Sequence, residues 1–474
     1  MLSLDRTELY VDEAQYWLWG QEMAFGAHSK PPLIGWLIRS VTEVVGDAGT
    51  FSVRLAAPLL HGITAVLVMA LARTLTTPGV AAAAGLGYLT LPAVTLGSAM
   101  MTTDTPMLTC LAASLLIWRH MALRWQGGGL ANRCRSWPLA VALGFALGLG
   151  LVAKYAIVYA VVALAVTALV ARDWRIAPKD ALVAGTVAFA VLAPNLYWNA
   201  THGFATFHEL IDETRWSGLQ LFPDRALRFL AEQFAVMGPI MFAAFMAAVL
   251  VPGRLLPEGA VRGLMPLALP ILAIVTLQAL FTRALANWGV GFLLAGSIVA
   301  TIILARHMRG LLVVSLVLGL ALALALPVLT VVGLELRLPN GDLALKRYIG
   351  RAEISQRVLA IAEAERLETI VAEDRALLAD LRYQVRGGGP AIRALAHAAR
   401  AENHYALLYP LQPADLESGV LYLAFADDVV PCRAASGPVV LDRWLAGPGW
   451  AEGRELVALW VGADCWPDGS ADVR

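Results

Sequence analysis

The sequence has little charge for its length. Only 15% of its 474 residues are charged, against about 25% in soluble domains, and 58% are hydrophobic. The mean hydropathy of +0.66 is correspondingly high. These values exclude an ordinary soluble protein and predict an integral membrane protein. The formal net charge is zero, so the charge balance predicts no nucleic-acid partner.

Cysteine is scarce, and its spacing predicts no metal centre. The four cysteines include no CxxC pair. Cys432 and Cys465 lie near the C-terminus and would form a disulfide if that end is extracytoplasmic; two free thiols are the alternative. We expect no cofactor, and the sequence leaves a requirement for a divalent metal open.

A signal peptide is also lacking. Residues 1–20 are polar and acidic, without the apolar core that a signal peptide needs. Two explanations stay open. Either the first downstream helix carries this end across the membrane, or the sequence is missing an upstream helix.

Apolar segments, in contrast, are abundant. Ten of them approach the roughly 20 residues that a membrane-spanning helix needs. The fourth and fifth are short, and one long helix with a kink at Lys154-Tyr155 is the alternative to two spans. The ten segments lie near residues 55–75, 77–98, 105–122, 138–152, 156–171, 180–198, 233–252, 264–281, 287–304 and 310–333.

Basic loops orient these segments. With ten spans, all the basic connections fall on one side, which the positive-inside rule makes cytoplasmic. These connections are Arg119–Arg135, Arg172–Lys179, Arg254–Arg262 and Arg306–Arg309. The same count places the opposite loops outside: 1–54, 101–104, 154–155, 199–232, 283–288 and the tail from about 334.

The tail differs in composition from the rest of the chain. Charges return after residue 338, and the pattern predicts helices over 351–366 and 375–386 and strands at 368–371, 405–409 and 420–425. We therefore predict a mainly α protein: a first external loop (1–54) that ends in an amphipathic helix over 34–54, a polytopic helical core (55–333), and a small α/β domain outside the membrane (334–474).

Ionisable residues near the hydrocarbon boundary converge on the predicted outer side. Acids and bases are interleaved there, which favours an anionic ligand such as a phosphate over a cation path. A neighbouring carboxylate would act as general base. The residues are Asp12, Glu13, Lys30, Arg54, Asp104, Lys154, His202 and Arg283.

Each residue also has a structural alternative. Asp104 precedes Thr105-Pro106 and suits a helix cap. Lys30, Arg54 and Lys154 suit snorkelling to lipid headgroups. His202 suits a helix end, and the tryptophans of the first loop suit an interfacial belt. Asp12 and Glu13 have the weakest structural explanation, because two adjacent acids among aromatic residues have no evident structural task.

Several short motifs, in order and spacing, resemble the dolichyl-phosphate-mannose-protein mannosyltransferase family, whose bacterial members include aminoarabinose transferases acting on lipid A. The resemblance spans about residues 10–300. The motifs are Asp12-Glu13-Ala14-Gln15-Tyr16-Trp17, Ser29-Lys30-Pro31-Pro32-Leu33, Val53-Arg54-Leu55, Thr102-Thr103-Asp104-Thr105-Pro106, Leu151-Val152-Ala153-Lys154-Tyr155, Trp198-Asn199 with His202-Gly203, and Ala286-Asn287-Trp288.

The resemblance implies a GT-C fold and an enzyme of the bacterial inner membrane. Such enzymes transfer a sugar from a polyprenyl phosphate to a glycolipid, polysaccharide or protein acceptor on the outer face, here with expected inversion. Asp12, Glu13 and Asp104 are then expected to be catalytic, with Asp12 as base. Lys30, Arg54, Lys154 and Arg283 are expected to bind donor phosphate, and Tyr16, Tyr155, His202, Asn287 and Trp288 to line the cavity.

Two other classes of function remain as alternatives. A transporter or flippase for lipid-linked sugars would also need a polar cavity with basic residues, but it favours paired broken helices and inverted repeats, which the sequence does not show. A membrane scaffold would use the tail for binding, and the presence of Asp12, Lys30 and Asp104 together argues against it.

Overall fold

The structure is a computed structural model that describes residues 4–127, 136–214, 218, 220–395, 401–429 and 437–465. The N-terminal part begins with three helices. They are α1 (Val11–Glu22), α2 (Leu33–Val45) and α3 (Thr50–Arg54). The predicted amphipathic helix over 34–54 is thus two helices. The break falls at Gly46, which ends α2 with a positive φ of 76°.

The apolar part of the chain is helical throughout its described residues. Its helices are α4 (Ala56–Arg73), α5 (Pro78–Leu89), α6 (Pro92–Ala99), α7 (Asp104–Gln126), α8 (Trp137–Ala153), α9 (Val158–Val170), α10 (Pro178–Thr201), α11 (Ala205–Thr214), α12 (Pro223–Val236), α13 (Pro239–Leu250), α14 (Pro252–Leu255), α15 (Met265–Phe281), α16 (Phe292–His307) and α17 (Arg309–Val332). Each of the ten predicted apolar segments coincides with one of these helices, or with the bent pair α5–α6.

Length separates these helices into groups. Among the described residues, five stretches are long and apolar enough to cross a membrane: Thr50–Arg73, Asp104–Gln126, Pro178–Thr201, Val261–Phe281 and Arg309–Val332. The pair α5–α6 also qualifies as one span with a bend of 56°. The helices α8, α9, α13 and α16 are shorter. The chain is therefore a multi-pass membrane protein, while the count of ten crossings stays a prediction.

The basic connections lie together at one end of the helical bundle, which we call the basic end. Trp118 and Arg119 of α7 donate hydrogen bonds of 2.7 Å to backbone carbonyls of the turn Arg172–Trp174. The turn Gly259–Leu264 packs against the same residues. The Nε2 atom of His307, the last residue of α16, lies 3.3 Å from the carbonyl oxygen of Leu255 at the end of α14. The predicted grouping of the basic loops is thus found in the structure.

The chain reverses direction at Lys154. The residue is extended (φ −161°, ψ 127°) between α8 and α9. Helix α8 begins near the basic end, where Ser136 donates to Asp180, and α9 leads back to the basic end at Arg172–Trp174. One long kinked helix is therefore excluded. Lys154 lies at the opposite end of the bundle, which we call the site end.

The tail forms a small α/β unit around a five-stranded sheet. Helices α18 (Arg351–Ala364), α19 (Arg375–Gln384) and α20 (His404–Leu408) accompany β1 (Thr369–Ala372), β2 (Ala391–Ala394), β3 (Val420–Phe425), β4 (Val439–Leu445) and β5 (Glu455–Val461). The strand order is β2-β1-β3-β5-β4. The pairs β2–β1 and β1–β3 are parallel, and β3–β5 and β5–β4 are antiparallel.

The segment 405–409 and Cys465 bear on two predictions about the tail. The strand predicted at 405–409 is wrong, because this segment is the short helix α20. The side chain of Asn403 accepts hydrogen bonds from the N–H groups of Tyr405 and Ala406 and so starts a helix there. Cys465 is disulfide-bonded. The predicted pairing with Cys432 cannot be followed, since Cys432 lies outside the described residues.

The N-terminal segment (residues 4–54) and the tail share one hydrophobic core. Buried residues of α1, including Trp17, cluster with buried residues of α18, α19 and the sheet. The rings of Trp17 and Tyr383 meet edge to face at 5.2 Å. Glu8 accepts hydrogen bonds from three backbone N–H groups at the start of α18, where a carboxylate is favoured by the helix dipole. This packing fixes the tail against α1.

Candidate active site

Asp12 lies in the first turn of α1 and meets a residue of the tail. Its Oδ1 accepts a hydrogen bond of 2.5 Å from Arg375, the first residue of α19. The side chain of Asp12 is 39% exposed. Among the described residues, nothing donates a hydrogen bond to its second oxygen. Asp12 is therefore an accessible carboxylate, oriented by an arginine, with one oxygen free to take a proton.

Asp104 joins three elements at the site end. Its Oδ1 accepts a 2.7 Å hydrogen bond from Lys154, and its Oδ2 accepts one of 3.0 Å from Asn287. Asp104 begins α7, Lys154 stands in the break between α8 and α9, and Asn287 lies in the turn Ala286–Gly289. The sequence predicted all three residues for one cavity, and the structure brings them together.

Lys30 also lies at the site end, and it contacts acids that the sequence analysis did not select. Its ammonium donates a 3.0 Å hydrogen bond to Glu213 on α11. Glu209, one turn earlier, lies 3.9 Å from His28. Burial raises the pKa of Glu209, Glu213 raises it further, and Lys30 and Arg375 oppose this effect. Helix α11 thus adds an acidic face beside the predicted phosphate-binding lysine.

Tyr16 lies close to several of these charges. It is buried, and its burial raises the pKa of its hydroxyl well above the ordinary value. The carboxylates of Asp12, Asp104 and Glu213 raise this pKa further, and Arg375 opposes them. Charges from α1, α7, α11 and α19 therefore act on the same side chain. The predicted role of Tyr16 in lining the substrate cavity stays a prediction, and the structure places the residue close to Asp12 and Asp104.

Arg54 and Glu13 have a different place from the one predicted. Arg54 is 2% exposed, and hydrogen bonds to Glu13, Asp5, Thr7 and the carbonyl of Glu8 occupy its guanidinium. Glu13, 1% exposed, also accepts from the N–H groups of Tyr10 and Met101. All five N–H donors of the arginine are used. The predicted phosphate contact of Arg54 and catalytic role of Glu13 disagree with this geometry, because neither side chain is available to a substrate.

Of the remaining predicted residues, Tyr155 and Arg283 lie near the site end, whereas His202 and Trp288 are described by their packing against neighbouring side chains. Tyr155 lies near the site end, where its hydroxyl donates a 2.5 Å hydrogen bond to Asn195 and its ring stacks on Phe207 at 5.3 Å. Arg283 is exposed there, and its backbone N–H donates to the carbonyl of Thr214. His202 stacks on Trp198 at 4.2 Å as the cap of α10. Trp288 packs among apolar side chains, including Met107 and Ile157.

Sequence reasoning missed Arg375, Glu209 and Glu213. Arg375 belongs to a tail whose charge content is ordinary for a soluble domain, so nothing in the sequence distinguishes it. The two glutamates lie on α11, a short amphipathic helix of the long loop. Its alternation of apolar and acidic residues was the available signal. Within the described part of the chain, no three His, Cys, Asp or Glu side chains are grouped to hold a metal ion.

Three comparisons bear on the class of this protein. Residues 29–198 match the sequence profile of the dolichyl-phosphate-mannose-protein mannosyltransferase family. The chain is 37% identical to the lipid A galacturonosyltransferase RgtD of Rhizobium johnstonii, over 98% of this chain and 95% of that protein. Crystal structures of ArnT from Cupriavidus metallidurans share its fold, both with a TM-score of 0.67 and 17% identity. The apo structure aligns over 96% of this chain and 95% of that one, and the structure bound to undecaprenyl phosphate over 100% and 96%.

The helical bundle with its α/β tail and a charged site between them has the architecture of the GT-C membrane glycosyltransferases. The chain belongs to the dolichyl-phosphate-mannose-protein mannosyltransferase family. It is an integral-membrane glycosyltransferase that takes a sugar from a polyprenyl-phosphate donor and passes it to an acceptor. Nothing in these comparisons supports the transporter alternative.

Proposed function

We propose that this enzyme transfers a galacturonosyl residue from a polyprenyl phosphate to a lipid A glycolipid on the outer face of the bacterial inner membrane. The 37% identity to RgtD over nearly the whole of both chains supports this sugar and this acceptor. The observation that carries the chemistry is the accessible carboxylate of Asp12, held by Arg375. This carboxylate acts on the same buried side chain, Tyr16, as Asp104 and Glu213, which are the partners of Lys154 and Lys30. Donor phosphate, sugar and acceptor would all bind at that end.

Asp12 is the best candidate for the general base. Asp104 has both oxygens occupied by Lys154 and Asn287, so it suits the positioning of Lys154 better than proton transfer. Asp12 keeps one oxygen free while Arg375 holds the other. A base must lie within hydrogen-bond reach of the proton that it takes and must be held in orientation. Arg375 supplies the orientation of Asp12, and the second oxygen of Asp12, which accepts from no described residue, is available to an acceptor hydroxyl.

The transfer is one displacement with inversion at the anomeric carbon. A hydroxyl oxygen of the acceptor attacks C1 of the sugar while the bond from C1 to the phosphate oxygen breaks. The hydroxyl proton passes to Asp12, and the polyprenyl phosphate leaves with the bonding electron pair. Negative charge grows on the phosphate in this step, so nearby cations stabilise the transition state. We assign this task to Lys30, Lys154 and Arg283.

Arg54 and Glu13 hold the helix that carries the proposed base. Their ion pair ties the start of α1 to α3 and, through the N–H of Met101, to the residues just before α7. Asp12 precedes Glu13 by one residue and Asp104 follows Met101 by three. The buried pair thereby helps to set the distance between Asp12 and Asp104. The proposal keeps the predicted organisation of the chain into an N-terminal loop segment (1–54), a membrane core (55–333) and an α/β domain (334–474).

The proposal is tested by transfer in proteoliposomes. Purified enzyme is mixed with lipid A and a galacturonosyl polyprenyl phosphate that carries a labelled sugar. We expect label to pass to the lipid A fraction. Free polyprenyl phosphate should appear in equal amount, with no requirement for a nucleotide sugar. Label that stays with the donor under conditions in which the protein is folded would contradict the proposed function.

Replacing Lys30 by alanine should weaken the use of donor. A charge-assisted hydrogen bond to phosphate is lost, and we expect the KM for the donor to rise roughly 10- to 100-fold, with a smaller effect on kcat. The measurement is the rate as a function of donor concentration. Lys346→Ala is the matched control, because Lys346 forms an ion pair with Asp342 in the tail. An unchanged KM in Lys30→Ala would remove Lys30 from the phosphate site.

The outer location of the site end can be tested by labelling. Cysteine is introduced at Glu363, exposed on α18, or at Arg309, exposed at the basic end. A membrane-impermeant maleimide added to spheroplasts should label the variant at position 363 above the background of the parental protein. The variant at position 309 should react only after the membrane is opened. The reverse pattern would overturn the proposed orientation.

A further inference from the structure

Arg375 reaches the active site from outside the membrane bundle. It begins α19, whose preceding residue, Asp374, caps the helix by accepting from two backbone N–H groups. Helix α19 packs on α1, and through this packing the guanidinium arrives at Asp12. The other cations assigned to the site belong to the bundle and its loops. The tail therefore supplies a cation of its own.

The guanidinium of Arg375 has hydrogen-bond donors to spare. One terminal nitrogen donates to Asp12 at 2.5 Å, and the other donates to Gln15 at 3.3 Å. An arginine carries five N–H groups, so three have no acceptor among the described residues. The side chain is 41% exposed. A planar arginine with free donors beside open space suits the binding of a carboxylate by two hydrogen bonds.

The proposed donor has a carboxylate that needs such a partner. A galacturonosyl phosphate carries two separate anionic groups: the phosphate at C1 and the carboxylate at C6. The site end already contains the carboxylates of Asp12, Asp104, Glu209 and Glu213. An additional carboxylate in such a place is unfavourable unless a cation pairs with it. Lys30 and Lys154 already pair with acids and are assigned to the phosphate.

We propose that Arg375 recognises the C6 carboxylate of a uronosyl donor and thereby selects an acidic sugar over a neutral hexose. This inference rests on the proposed function. In the complex, one edge of the guanidinium keeps Asp12 in place and the remaining N–H groups bind the sugar carboxylate. The same residue then sets the position of the sugar relative to the base. The tail becomes part of the specificity of the enzyme.

The test compares a charged and a neutral donor on Arg375→Gln, Arg375→Lys and wild type. The galacturonosyl polyprenyl phosphate is the substrate, and the matching galactosyl polyprenyl phosphate, with CH2OH at C6, is the competitor. We expect Arg375→Gln to raise the KM for the uronosyl donor about 10- to 100-fold. The inhibition constant of the galactosyl donor should change by about twofold or less. Arg375→Lys should fall between, because it keeps the charge without the planar fork.

Arg357→Gln serves as the matched control. Arg357 pairs with Asp442 on the surface of the tail and lies over the ring of Trp444, so its loss should leave both donor constants unchanged. Size-exclusion profiles in detergent establish that each variant is folded. Equal weakening of the two donors, or no weakening, would overturn the role of Arg375. Failure of wild type to use the uronosyl donor would instead overturn the proposed function, and the inference with it.

Discussion

Replacing Asp12 by asparagine is expected to lower the rate of sugar transfer by about 10²- to 10⁴-fold, the usual range for loss of a general base. Asparagine has nearly the same shape, and its carbonyl oxygen can still accept the hydrogen bond from Arg375. It cannot take the proton of the acceptor hydroxyl. The loss should therefore appear in kcat, with little change in donor affinity. Initial rates at saturating donor measure it.

The control for this substitution is Asp224→Asn. Asp224 is an exposed acid in the first turn of α12, so the change alters charge by the same amount without touching the site. The amount of folded protein is compared by size exclusion in detergent. A rate for Asp12→Asn within about threefold of wild type would mean that another group takes the proton, since a lost general base has a much larger effect.

Replacing Arg54 by alanine is expected to destabilise the fold, with a loss of about 3–5 kcal/mol in the free energy of unfolding. The substitution leaves the buried carboxylates of Glu13 and Asp5 without the cation that compensates them. Arg54→Lys should also destabilise, because an ammonium group cannot supply five N–H groups in the same geometry. The measurement is the melting temperature in detergent, together with the yield of monodisperse protein.

A second variant separates this structural role from a phosphate contact. Arg54→Met combined with Glu13→Gln removes both charges of this ion pair and leaves only the carboxylate of Asp5 without its cation, so the pair of changes should cost less than the sum of the two single changes. The expected melting temperature of the double variant lies above that of Arg54→Met alone. A normal melting temperature for Arg54→Ala with weakened donor affinity would contradict the structural role and return Arg54 to the phosphate site.

The candidate site was predictable where its residues lie beside the ends of apolar segments. Asp104, Lys154 and Asn287 each interrupt or border a long hydrophobic stretch, and charge in such a position is costly unless it has a partner. Counting the segments and applying the charge rule for loops placed the three at one end. The structure then showed that Asp104 accepts hydrogen bonds from both Lys154 and Asn287. The pattern of the sequence thus contained most of this part of the site.

The roles of Arg54 and Glu13 were not predictable in the same way. A positive residue beside a membrane-spanning segment has the same local pattern whether it binds a phosphate, a lipid headgroup or a buried carboxylate. The tertiary structure decides the matter, because it joins Arg54 on α3 to Glu13 on α1 and buries the pair almost completely. Burial makes the ion pair obligatory for stability. The same packing excludes a substrate from both side chains.

The sequence by itself determined the membrane class, the positions of the apolar helices, the gathering of basic loops at one end and the α/β character of the tail. These follow from hydrophobic length, charge and periodicity, which are local properties. Only the tertiary structure decided that Arg375 faces Asp12, that α11 adds Glu209 and Glu213, and that Arg54 is committed to Glu13. Such contacts join residues as many as 363 positions apart. They depend on how whole elements pack, and no local pattern specifies that.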